Sequence, residues 1–381
     1  MSRLLAVGPA LPGVAHPQSE ITDTIGPLLT PSPAKRAVLR RLHEASGVRT
    51  RHTALALDEY AGLTSFGVAN DHFIRVGTDL AEKACRTALD AAGVAPEEVD
   101  FLLFTSVTGI AAPSIDAQLV TRLGLRTDVK RLPSFGLGCV AGAAGIARVH
   151  DYLAGHPQDV ALLVSVELCS LTLQHGDDSM ANLVSTGLFG DGAAAVVMVG
   201  DAHPAGLAPG LPDGAPRGVE VVDTRSRLYP ETADHLGWTI RDSGFGIVLS
   251  AGLPEVIAAH LAGDVKSLLA EHDLVTEEDV GTWVVHAGGP RILDVVRDSL
   301  SLDEADLRLS RESLAAVGNL SSSSVLHVLA ATLAGRGQNP PARRPPTPRA
   351  TGPQHGVLMA FGPGVSAELV LLRLPASPLE G

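Results

Sequence analysis

The sequence predicts an α/β protein built from two similar halves, and three observations carry that prediction. Short apolar runs without alternation, at 101–104 (FLLF), 161–166 (ALLVSV), 193–199 (AAAVVMV), 283–285 and 369–372, read as strands buried on both faces. Helical stretches separate them, which implies βα units and a parallel or mixed sheet. Finally, 94–104 (VAPEEVDFLLF) is echoed by 275–285 (VTEEDVGTWVV), and 188–199 (LFGDGAAAVVMV) by 360–372 (AFGPGVSAELVLL), in each case about half a chain away.

Taken in order, residues 1–30 are punctuated by Pro and Gly and read as an extended lead-in. A helix is expected over 34–45, with basic residues at Lys35, Arg36, Arg40 and Arg41, and a second over 78–92, stopped by Gly93. The halves are expected to meet near residue 215, giving units 1–215 and 216–381, with a Gly/Pro-rich surface connection over 206–218. The segment 335–356 holds six prolines and four arginines, a composition that prevents helix and sheet, and reads as a solvated loop. Its alternative is a basic loop that touches an anionic ligand.

Composition removes several classes. The chain of 381 residues is 45% hydrophobic, enough for a large core, so wholesale disorder is excluded. A net charge of −13 argues against a nucleic-acid binder. The most apolar stretch, 160–173, is interrupted by Glu167 and is too short to span a bilayer, and the N-terminus offers no convincing signal segment. Cys85, Cys139 and Cys169 show no CxxC spacing, which fits a reducing, cytoplasmic compartment and no metal site.

The chemistry centres on Cys139 in FGLGCVAGAAGIAR (135–148). Gly138 and Gly142 would allow a tight strand-to-helix turn that presents the sulfur at a helix N-terminus, where the thiolate is favoured. The bland alternative is a buried structural cysteine. His286 ends a buried strand before Ala287-Gly288-Gly289-Pro290, and strand ends are where an α/β fold places its site. Asn319 lies in GNLSSSSV (318–325), where it is either a helix cap or a hydrogen-bond donor to substrate.

Together GCVAGAAG, VVHAGGPRIL, GNLSSSSVLHVL, LFGDGAAA and FGPGVSAELVLLR, in their order along the chain, resemble the type III polyketide synthases, the chalcone-synthase-like branch of the thiolase superfamily. The resemblance runs from about residue 50 to 373. It implies a thiolase-like, duplicated, five-layered α/β/α/β/α fold with mixed sheets. It also implies a homodimer that works on CoA thioesters, acyl-CoA and malonyl- or methylmalonyl-CoA, with no metal or organic cofactor. Cys139 would be the nucleophile that holds the growing chain, and His286 its ion-pair partner. His286 and Asn319 would donate to the thioester oxygen while malonyl-CoA loses carbon dioxide. Arg41 would bind a CoA phosphate, although a second family lysine is Ala45 here. Gly288, Gly289 and Arg291 would lie along the pantetheine arm.

By the same resemblance Phe189 matches one of two gatekeeper phenylalanines, and Ile247 stands at the position of the other. Val107, Ala112 and Cys169 replace other cavity residues with small or apolar ones, and Thr172 and Ser321 complete the pocket. With only 13 aromatic residues to fill such space, an opened apolar tunnel for a medium- or long-chain acyl starter is expected. The products would be alkylresorcinols, alkylresorcylic acids or alkyl-α-pyrones. Naphthalene-forming bacterial relatives carry a cysteine at the position of Val107, so its absence argues against that activity. The alternatives are a β-ketoacyl synthase of the initiating type, which usually shows His-Gln-Ala-Asn where this chain has His286-Ala287-Gly288-Gly289, a non-catalytic acyl-binding protein, and a hydrolase.

Overall fold

The first strand, β1 (Ser2–Ala10), lies in the middle of the main sheet, where the sequence had suggested only a lead-in. The structure, a computed structural model, describes residues 1–206, 217–275, 279–335 and 354–375. The expected junction at 215 and most of the Pro/Arg-rich segment lie outside these residues. The strand was concealed because alternate residues face the core (Leu4, Ala6, Gly8) while Pro9 remains exposed. The rest of the supposed lead-in forms β2 (Ala15–Pro17) and α1 (Gln18–Leu29), a helix that tolerates Pro27.

The helix α2 (Pro33–Glu44) starts where Ser32 caps it, and β3 (Thr50–His52) pairs with β2. The helix α3 (Phe66–Ala92) begins well before the expected residue 78. Ser65 caps its N-terminus, and Gly93 ends it in the left-handed conformation at φ +66°. Its first turns were illegible because Gly67 and Gly77 interrupt the periodicity. Then follow β4 (Val99–Ser106), α4 (Ile115–Leu123), β5 (Lys130–Phe135), α5 (Ala141–Gly155), β6 (Val160–Leu168), α6 (Met180–Ser185) and β7 (Asp191–Gly200). The remaining elements are β8 (Val219–Leu228), a hairpin of β9 (Leu236–Arg241) and β10 (Gly244–Leu249), α7 (Leu253–Ala270), β11 (Val280–Val285), α8 (Pro290–Ser299), α9 (Arg308–Val317), α10 (Ser324–Gly335), β12 (Gln354–Gly362) and β13 (Ser366–Leu374). All five predicted apolar runs are strands.

The main sheet has nine strands in the order β11-β12-β13-β8-β1-β7-β6-β4-β5. Outward from β1, the steps to β7 and β6 are antiparallel and the step to β4 is parallel. Outward from β8, the steps to β13 and β12 are antiparallel and the step to β11 is parallel. The two sequence echoes therefore pair β4 with β11 and β7 with β13, strands at equivalent places on either side of the β1–β8 junction. At that junction Ser2, Arg3 and Leu4 pair with Val221, Glu220 and Val219, so the two expected sheets are joined into one.

Helix packing makes the layers. On one outer face α3 covers β1, β7 and β6, and on the other α7 covers β8 and β13. Between them α5 touches β4, β6 and β7 of one half and β8, β12 and β13 of the other, while α10 touches β1, β7, β11 and β12. This is the α/β/α/β/α arrangement. Both middle helices are apolar on most sides, as a helix enclosed by two sheets must be. The site residues come from the segments leading into or flanking this middle layer. Among the described residues no helix is long and apolar enough to cross a membrane.

Candidate active site

Cys139 lies in the single turn Gly138–Val140, between β5 and α5. Gly138 has φ +57°, and a Cβ there would meet the Pro363 ring at 2.5 Å, so the turn requires glycine on both counts. Gly142 has another role than the expected one. It lies inside α5, and a Cβ would stand 2.2 Å from the Ser322 carbonyl oxygen, so its lack of a side chain brings α5 against the 321–324 segment. The Cys139 thiol is buried and donates to Ser321 Oγ at 3.6 Å. Burial pushes it up to about 12, against the Ser321 hydrogen bond, and the Glu167 carboxylate adds to the rise. The thiolate expected from the helix terminus is thus opposed by desolvation.

His286 follows β11, its backbone N–H bonded to Met359 O at 2.9 Å. Gly288 N–H returns to His286 O at 2.8 Å, closing a tight turn around the ring, and a Gly288 Cβ would lie 3.2 Å from the imidazole. The ring is buried, its Nδ1 has no partner, and burial draws its pKa down to about 4. Burial thus works against the imidazolium of the expected ion pair. Asn319 donates from Nδ2 to Gly288 O at 3.0 Å and accepts from Ser321 N–H at 2.8 Å. One of its two amide hydrogens is thereby used and the other left over. Its backbone is locked beside Phe189 by hydrogen bonds to Leu188 and Gly190. The three residues, distant in sequence, are thus linked: His286 to Asn319 through Gly288, and Asn319 to Cys139 through Ser321.

Sequence reasoning missed the group beneath them. Glu167, fully buried in β6, accepts from Val107 N–H at 3.1 Å and Thr108 Oγ1 at 2.8 Å through one oxygen. Its other oxygen accepts from Ser321 Oγ at 3.3 Å and from the Ser322 hydroxyl. Burial raises the Glu167 pKa. The serine run 321–324 is buried because these hydroxyls are needed to satisfy Glu167, Ser165 and Asn319. A lone acidic residue inside an apolar strand was the available signal.

Two cavities meet at Cys169, Phe189, Trp238 and Ile247. The inner one, nearer Cys139 and about 340 Å³ with its own open mouth, is bordered by Cys139, Ser321 and Val107. The outer one, about 610 Å³ with its open mouth, is bordered by Thr172, Arg51, Tyr60 and Phe245. Ile247 does not leave its space empty, because its cross-strand partner Trp238 stands on the same walls. Trp238, Phe245, Tyr60 and Arg51 were all missed, since nothing in their local sequence marks them. Ala112 is not in these cavities; it borders a separate cleft with Phe73, Phe104 and Phe135. Arg41 and Arg291 are exposed on α2 and α8, and Gly289 holds φ +152° ahead of α8. The three cysteines are free and buried.

With this geometry in hand, comparison with known proteins is specific. The sequence pattern described as "Chalcone and stilbene synthases, N-terminal domain" matches residues 1–203, and "Chalcone and stilbene synthases, C-terminal domain" matches residues 220–375. A 1,3,6,8-tetrahydroxynaphthalene synthase of Streptomyces peucetius subsp. caesius is 52% identical over 371 residues, 97% of this chain and 92% of that protein. A phloroglucinol synthase of Pseudomonas fluorescens is 29% identical, over 95% of this chain and 97% of its own. The crystal structure of 1,3,6,8-tetrahydroxynaphthalene synthase from Streptomyces coelicolor A3(2), a bacterial type III polyketide synthase, superimposes with a TM-score of 0.85 at 30% identity, covering 98% of this chain and 99% of that one.

Proposed function

The chain belongs to the chalcone and stilbene synthase family of type III polyketide synthases, and from that premise we propose that Cys139, His286 and Asn319 carry its condensation chemistry. The observation that carries this reading is the linked cluster of these three residues, with Cys139 on the wall of an apolar cavity.

In the loading step the Cys139 thiol gives its proton to His286, and the sulfur attacks the thioester carbon of an acyl-CoA. The new C–S bond forms as the bond to CoA breaks, and the imidazolium returns the proton to the departing thiolate. Burial disfavours either charge alone, but a thiolate and an imidazolium formed together offset one another. Malonyl-CoA then occupies the vacated place, its thioester oxygen accepting from His286 and the remaining Asn319 N–H. The bond to its carboxylate breaks, carbon dioxide leaves, and the electron pair is held as an enolate by the two donors. The enolate carbon attacks the Cys139 thioester and releases the sulfur as a thiolate, leaving the chain, longer by one malonyl-derived unit, as a CoA thioester; the Cys139 sulfur then takes the chain back, with release of CoA, before the next extension. CoA thioesters are the only small molecules the cycle needs, with neither metal nor organic cofactor taking part. Arg41 is assigned to a CoA phosphate and Gly288, Gly289 and Arg291 to the pantetheine arm, on the family resemblance.

The starter has two readings. A medium- or long-chain acyl group, leading to an alkylresorcinol, alkylresorcylic acid or alkyl-α-pyrone, is supported by the apolar walls at Val107, Cys169 and Ile247. A chain made from malonyl units alone is supported by the relative named for tetrahydroxynaphthalene. That molecule bears oxygen along its rings, as condensed two-carbon units do, and no alkyl branch. Its name also weighs against excluding a naphthalene product on Val107 alone. Acyl-CoAs of graded length with radiolabelled malonyl-CoA, and products identified by mass spectrometry, decide between them. On the alkyl reading kcat/KM climbs with chain length, by up to about 0.8 kcal/mol per methylene, then falls where the tunnel ends. On the other, malonyl-CoA alone yields the main product. No labelled product from any starter would overturn the assignment itself.

The proposed homodimer is supported by the edge strand β5, where Leu132 and Phe135 are exposed beside Ile110 and Leu137. An apolar, unpaired edge of this kind is ordinarily covered by another chain. Sedimentation of the protein should show two copies.

A further inference from the structure

Arg51, on β3, reaches the wall of the outer cavity as a buried cation with one hand free. Its Nε donates to Gln18 Oε1 at 2.9 Å and its Nη1 to Phe189 O at 2.7 Å, which fixes the plane of the guanidinium. Gly318 makes room for its stem, since a Cβ there would stand 3.1 Å from Arg51 Cδ. The Nη2 atom is buried and has no partner. Asp191, the nearest carboxylate in charge terms, is held instead by Ala54 N–H at 2.6 Å, Ser170 N–H at 2.8 Å and the Ser170 hydroxyl.

Three other donors around the cavity are turned to the protein: Thr172 Oγ1 to Cys169 O at 2.8 Å, Asn182 Nδ2 to Asp177 O at 2.6 Å, and Ser185 Oγ to Asn182 O at 3.0 Å. Among the described residues Arg51 Nη2 and His286 Nδ1 are the buried side-chain polar atoms left without a partner. A buried donor without an acceptor is costly, more so when charged, so the position calls for an oxygen. The cavity joins the Cys139 chamber through Cys169, Phe189, Trp238 and Ile247, so the far end of a chain held on Cys139 is the group able to supply it.

We propose that Arg51 binds a ketone, enolate or carboxylate oxygen at the distal end of the chain carried by Cys139, and so selects a chain oxygenated to its end over one that ends in an alkyl tail. The proposal rests on the reading of Cys139 as the carrier of a growing polyketide, and it names the class of chain. Arg51 is a specificity-determining residue: its hydrogen bonds go to Gln18 and Phe189, not to His286 or the Asn319 side chain.

The test uses the full chain with radiolabelled malonyl-CoA, comparing wild type with Arg51→Gln and Arg51→Lys. Arg51→Gln should leave malonyl decarboxylation within about twofold. It should lower products of three or more extensions by about tenfold or more, in favour of short released lactones. Arg51→Lys, which keeps the charge without the fork, should recover part of the long product. An unchanged product distribution would overturn the proposal and leave Nη2 with a buried water only; equal loss of decarboxylation and extension in both variants would overturn it in favour of a structural role. Should Arg51→Gln fail to fold, the wild-type protein provides a second measurement. There 3-oxoglutarate should inhibit extension at least about tenfold more strongly than hexanoate, and equal inhibition would refute oxygen recognition. If the wild type makes no polyketide at all, the underlying functional reading fails, which is a distinct result.

Discussion

At Cys139 two local influences oppose each other. The helix that begins at Ala141 favours a thiolate, while burial and Glu167 favour the thiol, and in the proposed chemistry proton transfer to His286 creates the nucleophile. Cys139→Ala should therefore abolish chain extension, whereas Cys139→Gln, whose amide mimics the acylated residue, should keep malonyl decarboxylation. Release of labelled carbon dioxide and product formation, measured separately, check both. In the proposed chemistry Asn319 acts in the enolate step only. Its replacement by Ala should slow decarboxylation by about 10²–10³ while starter loading falls much less. Equal losses in the two half-reactions would instead mark Asn319 as a structural element, in keeping with its bonds to Gly288 and Ser321.

Among the elements, α5 and the 321–324 segment must approach closely for Cys139 to reach Ser321. Gly142 permits this, since the Ser322 carbonyl leaves no room for a methyl group. Gly142→Ala should lower the melting temperature, with a cost of about 1–3 kcal/mol, and should impair loading by separating the thiol from its neighbours. Gly155→Ala, at the other end of the same helix, meets nothing within 4 Å and serves as the control. A melting temperature unchanged in Gly142→Ala would refute the close-packing argument. The β9–β10 hairpin works similarly at a distance: it places Trp238 opposite Ile247, so cavity width is a property of the pair.

For the whole molecule, burial of histidines in the core sets the response to acid. His43, His286 and His327 are held neutral, with pKa values drawn down to about 3, 4 and 4 by burial. The unfolded chain takes up these protons near pH 6.5 and the folded one does not, so stability is lost as pH falls below about 6.5. Glu167 and Asp191, the latter raised to about 6, act in the opposite sense because the folded state protonates them first. Three histidines outweigh two carboxylates, and the melting temperature should fall between pH 7 and pH 5. His327 is hydrogen-bonded to Ala193 O at 2.9 Å and lies outside the proposed chemistry. His327→Gln should make that fall shallower; a melting temperature flat across this range would refute the account.

The sequence by itself determined the α/β class, the buried strands, the duplication and the three polar residues of the site. These rest on local signals: unbroken apolar runs, a repeated strand pattern, and glycines around Cys139 and after His286. β1 was missed because Pro9 disguised its alternation, and the first turns of α3 because Gly67 and Gly77 broke its period. Tertiary structure alone decided which residues share a cavity. It moved Ala112 to a separate cleft, put Trp238 where an aromatic had been thought absent, and brought Arg51 and Glu167 to the site from β3 and β6. It also set desolvation against the charges expected of Cys139 and His286. The physical reason is common to all of these: cavity walls and desolvation arise from neighbours distant in the chain, and no local pattern records them.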